Sequence, residues 1–279
     1  MSTDSLPAGR SRPLSELRAA LQAARDGLEI QAFIALVAED ARVGARALGV
    51  QAARRLERER CERQRIQALM VLRNELEDAG VRGIAGVDEV GVGPLAGSVV
   101  AAAVVLPREV VLLGLDDSKR VRPARREVLA REIREVALGV GIGEVSVEEI
   151  DQIGIYQAAL EAMRRSVASL SRMTAVGHLL VDARSVPGVD LPQTSIIKGD
   201  QKDASIAAAS IVAKVYRDAQ MAVLGKRYPA YGFERHMGYG TAFHMDALKL
   251  HGPCPIHRRS FAPVASAERR MQRPSPAQS

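Results

Sequence analysis

The chain has 279 residues, 47% hydrophobic and 26% charged, with a net charge of +6 and a pI near 9.6. That length supports one sizeable core plus an appendage, and the basic balance suits an anionic partner such as nucleic acid without requiring one. Aromatic residues make up only 3%, with no Trp, which argues against single-strand recognition by rows of stacked rings, and two distant cysteines, Cys61 and Cys254, fit neither a disulfide framework nor a zinc site.

The first residues, MSTDSLPAGRSRPL, carry no apolar stretch of the signal-peptide kind, and the longest apolar run, VVAAAVVL at 99–106, is far short of the ~20 residues that span a bilayer. A cytoplasmic protein with no membrane partner is expected. Residues 1–12 are rich in Ser, Pro, Gly and Arg and read as a disordered tail. From Pro13 to about residue 80 apolar residues recur at helical spacing (Leu14, Leu17, Leu21, Ala24, Leu28, then Phe33, Leu36, Val37), which predicts a helical extension. Its segment RRLERERCERQR (54–65) reads either as a solvated helix face laced with ion pairs or as an arm that touches a phosphate backbone.

After DAGVRG the pattern changes. IAGVDEV and SVVAAAVVL are short strands joined by a glycine loop, and LGVGIGEV (138–145) reads as a third, which suggests an antiparallel meander. A helix is expected from Ser146 to about Leu170, with Ser146 as N-cap and Glu149 as its capping-box partner. HLLVDA (178–183) and TSIIKGD (194–200) read as strands, a long helix follows from Ala204 to about Tyr228, and residues 265–279 read as a second disordered tail. The fold class expected is α/β, a mixed sheet flanked by helices.

The glycine loop is spaced Gly91, Gly93, Gly97 and leads into a strand with no following Walker lysine. A dinucleotide or P-loop cradle must open a helix, so neither is present. Asp88 and Asp182 each fall near the end of an apolar strand, where an acid is costly unless paired or metal-bound. Ser210, Lys214 and Asp218 lie at i, i+4 and i+8 and share a helix face, read either as a surface stripe or as part of a site. Hard oxygen ligands without His or Cys spacing suit Mg²⁺ or Mn²⁺. His236, His244, His251 and His257 are too widely spaced for a helical metal pair and read as structural or surface residues. Adjacent Asp88 and Glu89 point to opposite faces of a regular strand, so both reach one site only if Glu89 sits at the strand terminus.

The blocks GVDEVGVGPLAGSVVAAAVVL, LDDSK, VDA, KGDQKDASIAAASIVAKVYRD and HMGYGT…HMDAL…GPCPIHRRSF, in this order over about 84–264, resemble those of bacterial ribonuclease HII, the type 2 ribonuclease H. The resemblance implies a ribonuclease H-like catalytic domain, with the helical stretch 13–80 as an extension that aids substrate binding. It implies hydrolysis of the RNA strand of RNA/DNA hybrids and incision 5′ of single ribonucleotides embedded in duplex DNA, leaving a 5′-phosphomonoester, in support of ribonucleotide removal during DNA repair and replication. Its catalytic and metal-holding carboxylates fall on Asp88, Glu89, Asp182 and Asp218, which would bind two divalent ions, Mg²⁺ or Mn²⁺, about 4 Å apart. Gly91, Val92 and Gly93 fall on the tripeptide that reads the 2′-hydroxyl, largely through main-chain atoms. Tyr239 falls on the ring that stacks on the neighbouring deoxyribose, and Ser118, Lys119, Lys198, Ser205, Ser210 and Lys214 match polar positions near the substrate backbone. A monomer is expected. Three departures stand out: Val92 where Arg is usual, Ala183 where Gly is usual and Ser98 where Pro is usual. Val92 makes a nuclease of general hybrid specificity with weak junction preference an alternative; a non-catalytic nucleic-acid-binding protein with a decayed site is a third, disfavoured by retention of all four acids.

Overall fold

The computed structural model describes residues 12–272. The expected tail at 1–12 therefore lies outside the described residues except for its last position, as does 273–279 of the C-terminal one. What precedes 273 is not a tail: α11 (Ala262–Gln272) is helical, with Val264 and Ala267 buried against Leu95 and Leu248.

The chain forms two compact units that divide between Arg65 and Ile66. The first is helical, with α1 (Leu14–Ala23), α2 (Gly27–Val37) and most of α3 (Val43–Leu69). Leu17, Leu21, Ile30, Phe33, Val37, Ala45, Leu48 and Ala52 close its core. Asp26 caps α2 by accepting from the amides of Leu28 and Glu29, both at 2.9 Å. Arg55 reaches from α3 to the Leu21 and Ala24 carbonyls, which α1 leaves without helical partners. The basic stretch of α3 carries the expected pairs, Arg55–Glu59, Arg60–Glu57 and Arg65–Glu62.

The division falls earlier than composition suggests because Ile66, Leu69 and Met70 pack into the core of the second unit, as does α4 (Val71–Asp78), whose Leu72 and Leu76 lie against Ile84, Leu180 and Ile206. That unit is built on a five-stranded mixed sheet in the order β3-β2-β1-β4-β5. The strands are β1 (Ile84–Val90), β2 (Val99–Val105), β3 (Gly139–Val145), β4 (His178–Asp182) and β5 (Gln193–Ile196). β1, β2 and β3 form the predicted antiparallel meander, and β4 and β5 add in parallel.

Period-two alternation divides the sheet's side chains between two helical layers. Val100, Ala102 and Val104 face α8 (Ala204–Arg227) and α5 (Pro123–Val136), while Ala85, Val87, Ala101, Ala103 and Val105 face α7 (Ile155–Leu170). At two positions on the α7 side of β3 only glycine fits: a Cβ on Gly141 or Gly143 would lie 2.1 or 2.0 Å from the carbonyl oxygen of Ser166 or Ala162. The Ser146–Glu149 capping box forms as predicted, but the helix it opens, α6 (Val147–Ile153), stops at Gly154, and α7 begins anew. Short α9 (Phe233–His236) and α10 (Ala242–His251) complete the unit. No helix among the described residues is long and apolar enough to cross a membrane.

Candidate active site

Asp88 and Asp182 are brought together by strand register. β1 and β4 run in parallel with Val87 opposite Val181, so the next residue on each strand is an acid. Asp88 shares the α8-facing side with Gly86, and the Ser210 hydroxyl of α8 faces its carboxylate and opposes the rise in its pKa; the Ser210 and Ser118 hydroxyls lie 3.0 Å apart, within hydrogen-bond distance. β1 continues through Val90, one residue past Glu89, so the expected strand end falls slightly later than the geometry of a shared site suggested.

The acids repel one another inside a poorly solvated cleft. Burial, then the neighbouring Glu89 charge, pushes Asp88 well above the ordinary carboxylate range, and Asp182 and Asp200 push the same way. Burial also raises Glu89; Arg184 opposes that rise, Asp182 adds to it, and Lys119 opposes it more weakly. Asp200 rises to about 6 through burial and the adjoining Asp117.

The chemistry of this donor set fits a divalent cation. Its atoms are hard oxygens, their mutual repulsion is what a doubly charged ion relieves, and Glu89 Oε2 is buried with no hydrogen-bond partner. The arrangement is not a closed cage: among the described residues no three His, Cys, Asp or Glu side chains converge on one ion position. Asp182 Oδ1 accepts instead from the Gly199 amide at 2.7 Å. Asp218, two turns along α8 from Ser210, is held by Lys214 and by Arg126 at 3.2 Å. Among the described residues Asp218 is thus the one predicted carboxylate held in direct ion pairs with protein cations.

The other predicted residues divide by burial. Lys119 and Lys198 are exposed and free to meet a phosphate, Lys214 is tied to Asp218, and Ser118 and Ser210 lie beneath the acids. Ser205 is a correction: it is fully buried in the first turn of α8 against the backbone of Gly86, and its hydroxyl reaches no surface. Tyr239 is 42% exposed, and a Cβ on Gly93 would meet its ring at 3.5 Å, so the loop and the aromatic face form one edge. Val92 packs its side chain toward the α7-side core. Ala183, just after Asp182, sits at φ 54, a left-handed conformation that disfavours a Cβ and explains why glycine suits the position better.

A buried imidazole pair supports Tyr239 from behind. The Cys254 N–H donates to His257 Nδ1 at 3.0 Å, so His257 carries its proton on Nε2 and donates to His244 Nε2, also at 3.0 Å. His244 then donates from Nδ1 to the Tyr239 carbonyl at 2.9 Å. Around the pair stand His236, stacked on His244, and Tyr231 and Phe233 against His257, with no carboxylate among these ring contacts. A second proton on either ring would oppose two N–H groups, and burial accordingly lowers His244 and lowers His257 to about 4. Because the folded value lies below the unfolded 6.5, the stability His257 contributes is complete above pH 6.5 and lost as pH falls towards 4. At about 1.4 kcal/mol per unit, the stability difference between wild type and His257→Gln should shrink by about 3 kcal/mol between pH 7 and pH 4. Denaturant melts of both proteins at each pH measure it; comparing the two cancels the raised carboxylates, whose contributions have the opposite sign. A difference that stays constant with pH would refute the neutral relay.

Several contributing residues escaped the sequence reading. Asp200 and Asp117 lie inside motifs quoted for other residues, and Arg126, Arg184, Arg217 and Arg258 are hidden by the chain's abundance of arginine.

Comparison with known proteins agrees with the geometry. The family profile described as ribonuclease HII matches residues 85–264. Ribonuclease HII of Geobacillus thermodenitrificans is 53% identical over 232 residues, 83% of this chain and 88% of that protein. Ribonuclease HII of Myxococcus xanthus is 52% identical over 229 residues, 82% of this chain and 78% of that one. Among solved structures, ribonuclease H2 from Pyrococcus horikoshii superposes with a TM-score of 0.58 at 25% identity, over 68% of this chain and 99% of that one. With the profile covering most of the chain and two relatives above half identity over four-fifths of it, the chain belongs to the ribonuclease HII family.

Proposed function

We propose that this chain incises duplex DNA on the 5′ side of single embedded ribonucleotides, in addition to the metal-dependent endoribonuclease activity on RNA/DNA hybrids that its family membership carries. The observation that supports this most is the joining of two features at one edge: a buried, mutually repelling set of acids, and a glycine loop lying against the exposed ring of Tyr239. Asp88, Glu89, Asp182 and Asp218 would hold the divalent cations, Mg²⁺ or Mn²⁺. When bound, such ions supply charge neutralisation at the scissile phosphate and an activated water.

The protein's own groups do the rest. Ser210, fixed by Ser118, keeps the Asp88 carboxylate oriented. Lys214 and Arg126 hold Asp218 in reserve near the same helix face. Lys119 and Lys198 offer charge to the flanking phosphates, and Tyr239 offers a flat face to the sugar beyond the ribonucleotide. The loop Gly91-Val92-Gly93 presents main-chain donors to the 2′-hydroxyl, the one group that separates RNA from DNA at a given position. The chain is proposed to act as a single copy in the cytoplasm, within ribonucleotide removal from DNA.

Val92 supports a second reading, general hybrid cleavage with little junction preference, since no cationic side chain stands at that loop position. End-labelled duplexes carrying one ribonucleotide or a long RNA tract, incubated with the purified chain in Mg²⁺ and in Mn²⁺, separate the two. The expected result is a single cut 5′ of the lone ribonucleotide at a rate comparable to that on the long hybrid. Cleavage of the long hybrid alone would favour the second reading; no cleavage of either would reject both.

A further inference from the structure

The glycine loop between β1 and β2 is folded around two buried arginines whose side chains, among the described residues, bond carbonyl oxygens and form no ion pair with a carboxylate. Arg217 of α8 and Arg258, between α10 and α11, are both 0% exposed. Arg217 donates from Nε to Ser98 O (2.9 Å), from Nη2 to Ala96 O (3.0 Å) and from Nη1 to Met237 O (3.0 Å). Arg258 donates from Nε to Gly97 O (2.9 Å) and from Nη1 to Val92 O (3.1 Å) and Pro94 O (2.7 Å). Its Nη2 reaches Gly91 O and Ser98 O, and its backbone N–H takes the Leu95 carbonyl. From Gly91 to Ser98, every carbonyl except that of Gly93 is turned inward to one of these two residues.

Two like charges buried side by side, hydrogen-bonded to carbonyl oxygens, are an expensive way merely to close a loop; burial lowers the affinity of both for their protons, the Arg217 charge lowers Arg258 further, and the more distant Asp218 and Asp151 oppose this only in part. What the arrangement achieves is peptide orientation. In a planar trans peptide the N–H points opposite to its C=O, so an inward Gly91 carbonyl turns the Val92 amide outward, and an inward Val92 carbonyl does the same for Gly93. Among the described residues nothing accepts a hydrogen bond from either amide. The glycines agree. Gly91 and Gly97 sit at φ +91 and +84, and a Cβ there would lie 2.3 Å from Arg217 Nε or 2.5 Å from Met221 Sδ. Those two therefore serve the inward packing of Arg217 and Met221, whereas Gly93 faces the open edge beside Tyr239.

We propose that Arg217 and Arg258 are positioning residues for ribose recognition: Arg258 fixes the Gly91–Val92 and Val92–Gly93 peptides with amides outward, Arg217 braces the far end of the loop through the Ala96 and Ser98 carbonyls and packs beneath Gly91, and together they place beneath the loop the positive charge that the side chain at position 92 does not supply. This rests on the loop being the ribose reader, as proposed above. Lysine at either position keeps the charge but not the planar fork that spans several carbonyls.

Two measurements test it. In the wild-type protein, hydrogen exchange of the Val92 and Gly93 amides should slow at least fivefold on adding a duplex with one ribonucleotide, and not on adding the all-DNA duplex of the same sequence. Equal slowing by both, or none, overturns the proposal. In Arg258→Lys and Arg217→Lys, the ratio of affinities for the two duplexes should fall at least fivefold while affinity for the all-DNA duplex is kept. A folded variant that retains the wild-type ratio, or loses affinity for both duplexes equally, shows a purely structural role and overturns it; if neither variant folds, the wild-type exchange result decides. A wild-type chain that neither cleaves nor prefers the ribonucleotide duplex would overturn the functional reading itself. An active, preferring wild type with an unaltered variant overturns only the role of the arginines.

Discussion

Replacing Asp88 by Asn is expected to lower divalent-cation-dependent cleavage about 10³-fold while leaving the melting temperature unchanged or raised. The two halves of this result have one cause. Asp88 is a buried acid held among Glu89, Asp182 and Asp200, so its charge is unfavourable for folding and has value only towards a cation. Removing the charge relieves repulsion at nearly constant shape, whereas losing one anionic ligand at the scissile phosphate forfeits several kcal/mol of transition-state stabilisation. Cleavage rates at saturating Mg²⁺ and a thermal melt of the same preparation measure both halves. Cleavage within about tenfold of wild type would remove Asp88 from the site.

Asp218→Asn should behave oppositely in the melt. That carboxylate is paired with Lys214 and Arg126, whose side chains are 15% and 10% exposed. Its removal leaves two poorly solvated cations unpaired, and the stability lost, about 1–3 kcal/mol after discounting for partial exposure, exceeds any gain. A pair of variants that both lose cleavage but move the melt in opposite directions is the signature of a site in which one acid waits for a cation and another has a protein substitute.

The sequence was most informative where one physical rule decided the outcome. The meander, the Ser146–Glu149 box and the long α8 follow from period-two apolar runs, a capping pattern and an uninterrupted helical stretch, and all three formed. The meeting of Asp88 and Asp182 was only half legible: apolar runs ending in acids mark both, but their adjacency depends on the parallel register of β1 with β4, which no local pattern encodes. The misplaced boundaries share a cause. Ile66, Leu69 and Met70, and Val264 and Ala267, belong to helices or the turn between them, whose polar composition resembles an arm or a tail until the surface that buries their few apolar residues is known. Ser205 illustrates the same limit at one residue: a serine at a motif position gives no sign of which face of α8 it occupies. Arg217 and Arg258 were the least visible, because an arginine that binds carbonyl oxygens leaves no acidic partner in the sequence to betray it.

Gly86→Ala should be among the most damaging single-methyl changes in the described residues, and the one that reaches the acids most directly. Gly86 lies on the face of β1 that meets the start of α8, and an added Cβ would stand 2.0 Å from the Ser205 carbonyl carbon and 2.2 Å from the Ile206 nitrogen. Ordinary contact requires at least 3.4 Å, and the obstructing atoms are backbone, so no rotamer can yield; the strand and helix must separate. They are poorly placed to do so. The first turn of α8 is pinned by the fully buried N-cap Asp203, which accepts from Ser205 N at 2.8 Å and Ile206 N at 3.0 Å, and the following Ala207, Ala208 and Ala209 pack into the sheet-side core. The expected loss is about 3 kcal/mol or more, a fall in melting temperature of roughly 6–12 °C for a domain of this size. The same displacement separates Ser210 from Asp88, since the two sit on the elements being forced apart, and a misplacement near 1 Å is worth about 10²-fold in rate. Gly93→Ala provides the contrast in the melt, because its Cβ would meet only the edge of the Tyr239 ring at ordinary distance and should leave the melting temperature within about 2 °C. A Gly86→Ala protein that melts with wild type would mean that α8 does not rest on the backbone of β1, and the geometry that carries Ser210 to Asp88 would have to be discarded with it.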